Sequence, residues 1–496
     1  MATLASSLST SSTATAIVVA TRPVARKVTF AELHVHVSKF QSSLARIGIY
    51  RKDIVAIAIP NSYEFVVAFL ATAQQGAIAA PLNPAYKQHE YEFSLEDLNS
   101  TLILVPRGAV ELNEPSVRAA RTRNAAIAEC YWNETEIVLE LKETGKSNTN
   151  KACGLEMAEP DDIAIILHTS GSTGRPKAVP LTHGNITQNM GNLRETYQFS
   201  ARDRGLLILP LYHVHGLIAG LLAPLSATGS VIIVSKFSAS EFWNDFVAHR
   251  ANWYTAVPTI HQILLATLVP NPLPKIRFIR SCSAPLSTKT FHELESKFCA
   301  PVLEAYAMTE AAHQMTSNPL PPGKRIPRSV GINQGTEIKI LDSEGKEVPA
   351  NQDGEICVRG RNVTGGYLNN PTANHSTFTR DSFFRTGDLG KKTEDGYVFI
   401  TGRIKELINR GGEKISPAEL DNILLNHEDI AEAVCFAIPD PDHYGEEIGA
   451  AVVPKVTNRI SEQSIKTWMS GEVARFKVPK KVGASISACS SRDDGV

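Results

Sequence analysis

The 496-residue chain reads as α/β: a large N-terminal domain of wound α/β sheets, a small β-rich subdomain, and a small hinged C-terminal α/β domain. Three observations predict this. From residue 29 to about 305, short apolar runs alternate with amphipathic stretches, the rhythm of strands joined by crossover helices. Beyond Gly331 the helical signal fades, and short β-like runs separated by turn residues take over. Residues 402–412 are charged and glycine-bearing, which suits a hinge ahead of a last helix-and-strand stretch.

In chain order, residues 1–27 are rich in Ser, Thr and Ala, and no acidic residue occurs before Glu32; this reads as a flexible leader. A helix is expected from Phe30 towards Ile47, then a strand over 54–58, a helix over 64–75 and a strand over 77–81. Residues 106–150 are polar with weak periodicity and read as peripheral. The run 163–167 is a buried strand. It leads into His168, Thr169, Ser170, Gly171, Ser172, Thr173, Gly174, Arg175, Pro176 and Lys177, an inventory for holding phosphate: glycine admits close backbone approach, hydroxyls donate, and lysine neutralises charge. The lysine does not directly follow the last glycine, so this is not the common P-loop.

Strands are then expected at 206–209, 231–234, 254–257, 276–280 and 302–305, with a helix over 216–226. Parallel strands place ligands at their carboxyl ends. Three polar clusters fall there: His213-Val214-His215-Gly216, Ser281-Cys282-Ser283-Ala284 and Tyr306-Ala307-Met308-Thr309-Glu310. Runs at 337–341, 355–359 and 397–401 make the β-rich subdomain. A helix over 417–425 and strands over 433–437 and 448–454 make the C-terminal domain.

Composition narrows the function. Fifty basic residues nearly balance fifty-one acidic ones, for a net charge of -1, so nucleic acid or an anionic membrane is not indicated as the main partner. Seven cysteines are scattered without a C-x-x-C pair, which points to a reducing compartment such as the cytoplasm and away from a structural zinc site. No apolar run approaches the roughly 18 residues of a membrane span.

Taken in order, 169–177, Tyr306-Ala307-Met308-Thr309-Glu310, Thr386-Gly387-Asp388, and Gly402-Arg403 with Lys405 resemble the motifs of the adenylate-forming (AMP-binding) superfamily that includes acyl-CoA synthetases. The stretch 304–321, with 280–284 and 209–216, is most similar to oxalate–CoA ligases of fungi and plants. The resemblance covers most of residues 28–481 and implies an AMP-binding domain over 28–402, an associated C-terminal domain over 403–481, and an atypical tail over 482–496. It implies ATP, Mg²⁺ and CoA, and a ligase that makes an acyl adenylate and passes the acyl group to the CoA thiol. By the same resemblance Thr169, Ser170, Gly171, Ser172, Thr173, Gly174 and Lys177 cradle phosphates, and Thr309 touches the α-phosphate. Glu310 holds the metal, Tyr306 stacks on adenine, Asp388 takes the ribose, and Arg403 binds the ribose or phosphate side. Lys405 is the hinge, and Gly411 and Gly412 face CoA.

For the acid, Ser281, Ser283, His215, His313 and His213 supply donors that a small doubly charged acid needs and a fatty-acyl tunnel does not. Oxalate is the expected substrate, with another short or aromatic acid, coumarate-like, and a silent nucleotide-binding protein as alternatives. Either histidine of the 213/215 pair could equally pack structurally. The tail lacks the lysine with which the family bridges acid and ATP, which implies slow adenylation. It also lacks the Ser-Lys-Leu peroxisomal address that such a family would suggest.

Overall fold

The structure, a computed structural model, describes residues 2–20, 24–145, 154–169, 176–440, 445–455 and 460–484. Its α/β class is as the sequence predicts. A nine-stranded sheet runs in the order Ile332–Asn333, His313–Ser317, Val302–Met308, Phe278–Ser281, Trp253–Ala256, Arg204–Leu207, Ser230–Ile233, Thr15–Val19, Arg26–Thr29. Its five middle strands, from Val302–Met308 to Ser230–Ile233, are mutually parallel, so their carboxyl ends share one edge. A seven-stranded sheet is built from Ile137–Glu143, Ala126–Trp132, Leu102–Pro106, Ile54–Ile57, Ile78–Pro81, Ile163–Thr169 and Lys177–Thr182.

One apolar core serves both sheets: Ile17, Leu207 and Val231 of the first join Ile57, Leu104 and Ile165 of the second. The helix Tyr63–Gln74 lies within it, with Phe65, Val66, Phe69 and Ala73 all fully buried. A helix apolar on every side must be covered on every side. Helix Phe30–Arg46 begins at a capping box, Thr29 Oγ1 accepting from the Glu32 N–H while Glu32 accepts from the Thr29 N–H.

Two sequence expectations are corrected. The expected flexible leader over 1–27 is ordered where it is described: Thr15–Val19 pairs in parallel with Ser230–Ile233, and the Leu4 N–H donates to His183 Nδ1 at 3.1 Å. Arg26 also lies 3.7 Å from the Trp132 ring centroid. The apolar run Ala16-Ile17-Val18-Val19 suffices for a strand, and Ser/Thr-rich flanks hide it. Residues 106–150 are not all peripheral either. Ala126–Trp132 is a sheet strand with Ile127 and Ala128 fully buried, and helix Pro115–Arg123 packs through Val117, Ala119 and Ala120, residues too small to register as an apolar face.

Beyond these sheets, Glu337–Leu341, Gly354–Arg359, Phe384–Lys392 and Val398–Arg403 form a four-stranded antiparallel sheet. The turn Ile404–Glu406, carrying Lys405, leads to a five-stranded sheet containing Ile408–Arg410, Glu413–Ile415, Ile430–Asp440, Gly445–Pro454 and Lys481–Ala484. Gly411 and Gly412, at φ 59° and 93°, form the two-residue hairpin turn between the first two of these, where positive φ at both positions favours glycine. Residues 485–496 of the tail lie outside the described residues. Among those described, no helix is long and apolar enough to cross a membrane.

Candidate active site

The two strands that flank the expected phosphate-binding stretch, Ile163–Thr169 and Lys177–Thr182, pair antiparallel, with Thr169 directly opposite Lys177. Ser170, Gly171, Ser172, Thr173 and Gly174 lie outside the described residues. The strand end is anchored by His168, whose Nε2 is 3.0 Å from Asp97 Oδ2. Lys177 is therefore the first residue of a strand, and its ammonium sits 4.4 Å from the centroid of the Tyr367 ring.

Tyr367 connects this lysine to the next motif. Its hydroxyl donates to Glu310 Oε1 at 2.9 Å. Burial pushes the Glu310 carboxyl up, opposed by this hydrogen bond and by the charges of Lys177 and Arg403. Thr309 opens the short turn Thr309–Ala311 and is half-buried. The turn ends in two left-handed non-glycine residues, Ala312 at φ 50° and His313 at φ 102°. Such backbone costs about 1–3 kcal/mol per residue and persists only where neighbours hold it. Buried Asn189 and Asn362 do so, each donating through Nδ2 to the Ala311 carbonyl, at 3.1 and 2.9 Å.

Tyr306, on the strand Val302–Met308, donates through its hydroxyl to Asp388 Oδ2. Arg403 Nε lies 2.9 Å from Asp388 Oδ1, on a side chain that is mostly exposed. Burial raises the Asp388 carboxyl, and Tyr306 and Arg403 counter it. Ser283, Tyr306, Asp388, Arg403 and Glu406 line one cleft of about 910 Å³, which helix Pro417–Leu424 also borders through Ala418, Asp421 and Asn422. The stretch after Lys405 thus shares this cleft with Tyr306, Asp388 and Arg403, and Ser416 Oγ donates to the Thr401 carbonyl at 2.6 Å.

Behind the cleft lies a polar cluster inside the sheet. Arg280 is 1% exposed. Its Nε donates to the Tyr197 hydroxyl at 2.8 Å, Nη2 to Gln314 Oε1 at 3.2 Å, and Nη1 to His215 Nε2 at 3.0 Å and Thr255 Oγ1 at 3.3 Å. Sheet register causes this, since Thr255 and Arg280 are paired neighbours on parallel strands. His215 opens the π-helix His215–Leu222, where an α-helix is expected, and its Nδ1 is 2.9 Å from Ser283 Oγ. His313 stacks on it with centroids 5.0 Å apart. Burial and the Arg280 charge hold both imidazoles well below the usual range, so both are neutral. Buried Ser281 Oγ and His313 Nε2 have no partner among the described residues, whereas Ser283 is exposed to the cleft. His213 stands exposed beside the Tyr212 ring, outside the hydrogen-bonded cluster.

The structure thus joins Lys177, Glu310, Asp388, Arg403 and Tyr306 through direct contacts or mutual charge effects, and Ser283, His215 and His313 through a second, adjoining set. Sequence reading did not single out Tyr367, Arg280, Asn189 or Asn362. A lone Tyr or Asn carries no local signal, but an arginine inside an apolar strand, Phe278-Ile279-Arg280, is one that could have been read.

Known proteins agree with this architecture. Residues 6–368 match the model of the AMP-binding enzyme family and 419–486 that of the AMP-binding enzyme C-terminal domain. An oxalate–CoA ligase of Saccharomyces cerevisiae is 45% identical, over 92% of this chain and 88% of its own. One from Arabidopsis thaliana is 46% identical, over 92% and 89%. The crystal structure of ATP-bound MatB from Rhodopseudomonas palustris superimposes with a TM-score of 0.86 at 32% identity, covering 96% of this chain and 92% of that one. The chain belongs to the AMP-binding enzyme family, as an acid–CoA ligase.

Proposed function

We propose that the acid is oxalate and that the chain converts it, with ATP and CoA, to oxalyl-CoA, AMP and pyrophosphate. A carboxylate oxygen attacks the α-phosphorus and pyrophosphate leaves; the thiol sulfur then attacks the acyl carbon and AMP leaves. Charge moves onto pyrophosphate in the first step, and fixed cations and donors aimed at it lower the barrier. Lys177 and Arg403 are the described cations beside Glu310 and Asp388, and Thr309 adjoins them. Asp388, with two oxygens already oriented by Tyr306 and Arg403, is arranged to accept ribose hydroxyls.

Glu310 fits Mg²⁺. It is a buried carboxylate with one oxygen held by Tyr367, and no group of three or more metal-ligating side chains surrounds it among the described residues. Mg²⁺ commonly takes one or two carboxylates and completes its shell with water and phosphate oxygens. When bound it would neutralise phosphate charge. The division at Lys405, with the Gly411-Gly412 hairpin reaching CoA, belongs to the same reading.

The observation that carries the choice of acid is the buried polar cluster of Ser281, His215, His313 and Arg280 beside the nucleotide cleft. Unpaired donors there suit a compact second carboxylate and penalise an apolar chain. The 45–46% identity to oxalate–CoA ligases supports it. The test is acid-dependent AMP formation by purified protein with ATP, Mg²⁺ and CoA across oxalate, malonate, acetate and 4-coumarate. Oxalate should give the highest kcat/KM; coumarate or acetate exceeding it rejects oxalate, and no AMP with any acid favours a silent nucleotide-binding protein.

A further inference from the structure

The geometry points to Arg280 as a positioning residue that makes the acid site selective for a doubly charged acid, by fixing the His215 tautomer and so the direction of the Ser283 hydroxyl. This rests on the reading of the cluster as the acid site. A guanidinium only donates hydrogen bonds. His215 Nε2, 3.0 Å from Arg280 Nη1, therefore presents its single lone pair to the guanidinium and carries no proton, and Thr255 Oγ1, which accepts from Arg280, lies 2.6 Å from the same nitrogen and can only share that lone pair. The one proton of the neutral ring is then on Nδ1, which donates to Ser283 Oγ at 2.9 Å. Ser283 then has one of its two lone pairs engaged from behind, and its O–H, not needed by His215, is free to donate into the cleft that it lines. The relay runs from a buried cation, through an imidazole of fixed tautomer, to a hydroxyl whose proton is free for an acceptor such as a carboxylate oxygen.

The charge on Arg280 supplies the second half. No carboxylate pairs with it among the described residues; its partners are two hydroxyls, an amide oxygen and an imidazole. A buried charge is ordinarily paired, because removing it from water is costly. Among the described residues no side chain supplies the countercharge, which a bound dianion would bring. An acid with one carboxylate spends its only charge at the reacting end, whereas a dianion keeps a second for the field of Arg280. Around His215 the titratable groups are Arg280, His313, His261 and His213, with Tyr197 and Cys282 beyond Arg280, and none supplies a negative charge at neutral pH.

The test compares oxalate with glyoxylate, a single-charge acid of nearly the same size, in acid-dependent pyrophosphate release by full-length protein. Wild type should prefer oxalate; if it does not, the reading of the site fails and the proposal with it. Given that preference, Arg280→Gln should raise the oxalate KM by about tenfold or more, while the KM values for glyoxylate and ATP stay within about twofold. Arg280→Lys, which keeps the charge, should restore most of the preference. Equal losses for both acids, equal behaviour of the Gln and Lys variants, or an intact preference in Arg280→Gln would overturn the proposal. Should Arg280→Gln be insoluble, Ser283→Ala carries the comparison: a selective loss with oxalate supports the relay, and an unchanged oxalate KM refutes it.

Discussion

Tyr367 shows how one side chain ties two motifs together. Its ring lies under the Lys177 ammonium and its hydroxyl holds Glu310. Tyr367→Phe keeps the ring and deletes the hydrogen bond to the carboxylate, an interaction worth about 1.5–3 kcal/mol. A fall of about tenfold or more in kcat/KM for ATP is expected in a pyrophosphate-release assay, and an unchanged value would remove Tyr367 from the site. Glu304, 4% exposed, accepts from the Arg328 N–H at 3.0 Å, and burial pushes its carboxyl up to about 8. Between about pH 4.5 and that value the unfolded chain has lost a proton that the folded chain keeps. Stability contributed at low pH is therefore lost as pH rises through this window. Glu304→Gln should be nearly neutral at pH 4 and stabilising by about 2 kcal/mol at pH 7; denaturant midpoints that differ equally at both pH values would contradict this.

At the scale of elements, the strand His313–Ser317 carries His313 of the proposed acid site, and Gly331 sets how closely the next segment passes it. At φ 81°, a Cβ on Gly331 would lie 1.9 Å from the Ser317 carbonyl carbon and 2.1 Å from the Asn318 nitrogen. Backbone, unlike a side-chain tip, cannot swing away. Gly331→Ala is expected to cost at least about 2 kcal/mol through strain and displacement, and to raise the KM for the acid through movement of His313. A variant with wild-type melting temperature and KM would show that the segment relaxes freely. The capping box at Thr29 is a smaller case: Thr29→Ala should cost about 1 kcal/mol, read as a lower melting temperature.

For the whole molecule, the buried histidines govern acid sensitivity. Burial lowers His183 to about 4 and His261 to about 3, and His215 and His313 are lowered as well. With folded values below the ordinary 6.5, the unfolded chain takes up protons first as pH falls. The stability is present above about pH 6.5 and is lost below it, by about 1.4 kcal/mol per pH unit per group. Glu304 works in the opposite direction over the same window, and burial raises the carboxyls of Asp53, Glu310, Asp388 and Asp421 in the same sense, which offsets part of the loss, while His36 and His213, also lowered by burial, add to it. Urea midpoints should therefore drop by several kcal/mol equivalents from pH 7 to pH 5; a flat profile would mean that these imidazoles are hydrated or already charged in the folded state.

Sequence alone determined the α/β class and the positions of most strands, because apolar periodicity is a local property of the chain; Lys177, Tyr306, Glu310, Asp388 and Arg403 were singled out by resemblance to a family's ordered motifs, and their mutual contacts come from the fold. Sequence reading misplaced Thr15–Val19 and Ala126–Trp132, whose burial depends on neighbours that lie far along the chain. Only the tertiary structure decided that Tyr367 holds Glu310, that Asn189 and Asn362 brace the left-handed turn, and that Arg280 meets His215, 65 positions away along the chain. Each of these is a hydrogen bond of about 3 Å between distant residues, fixed by sheet register and packing, for which no spacing in the chain gives a signature.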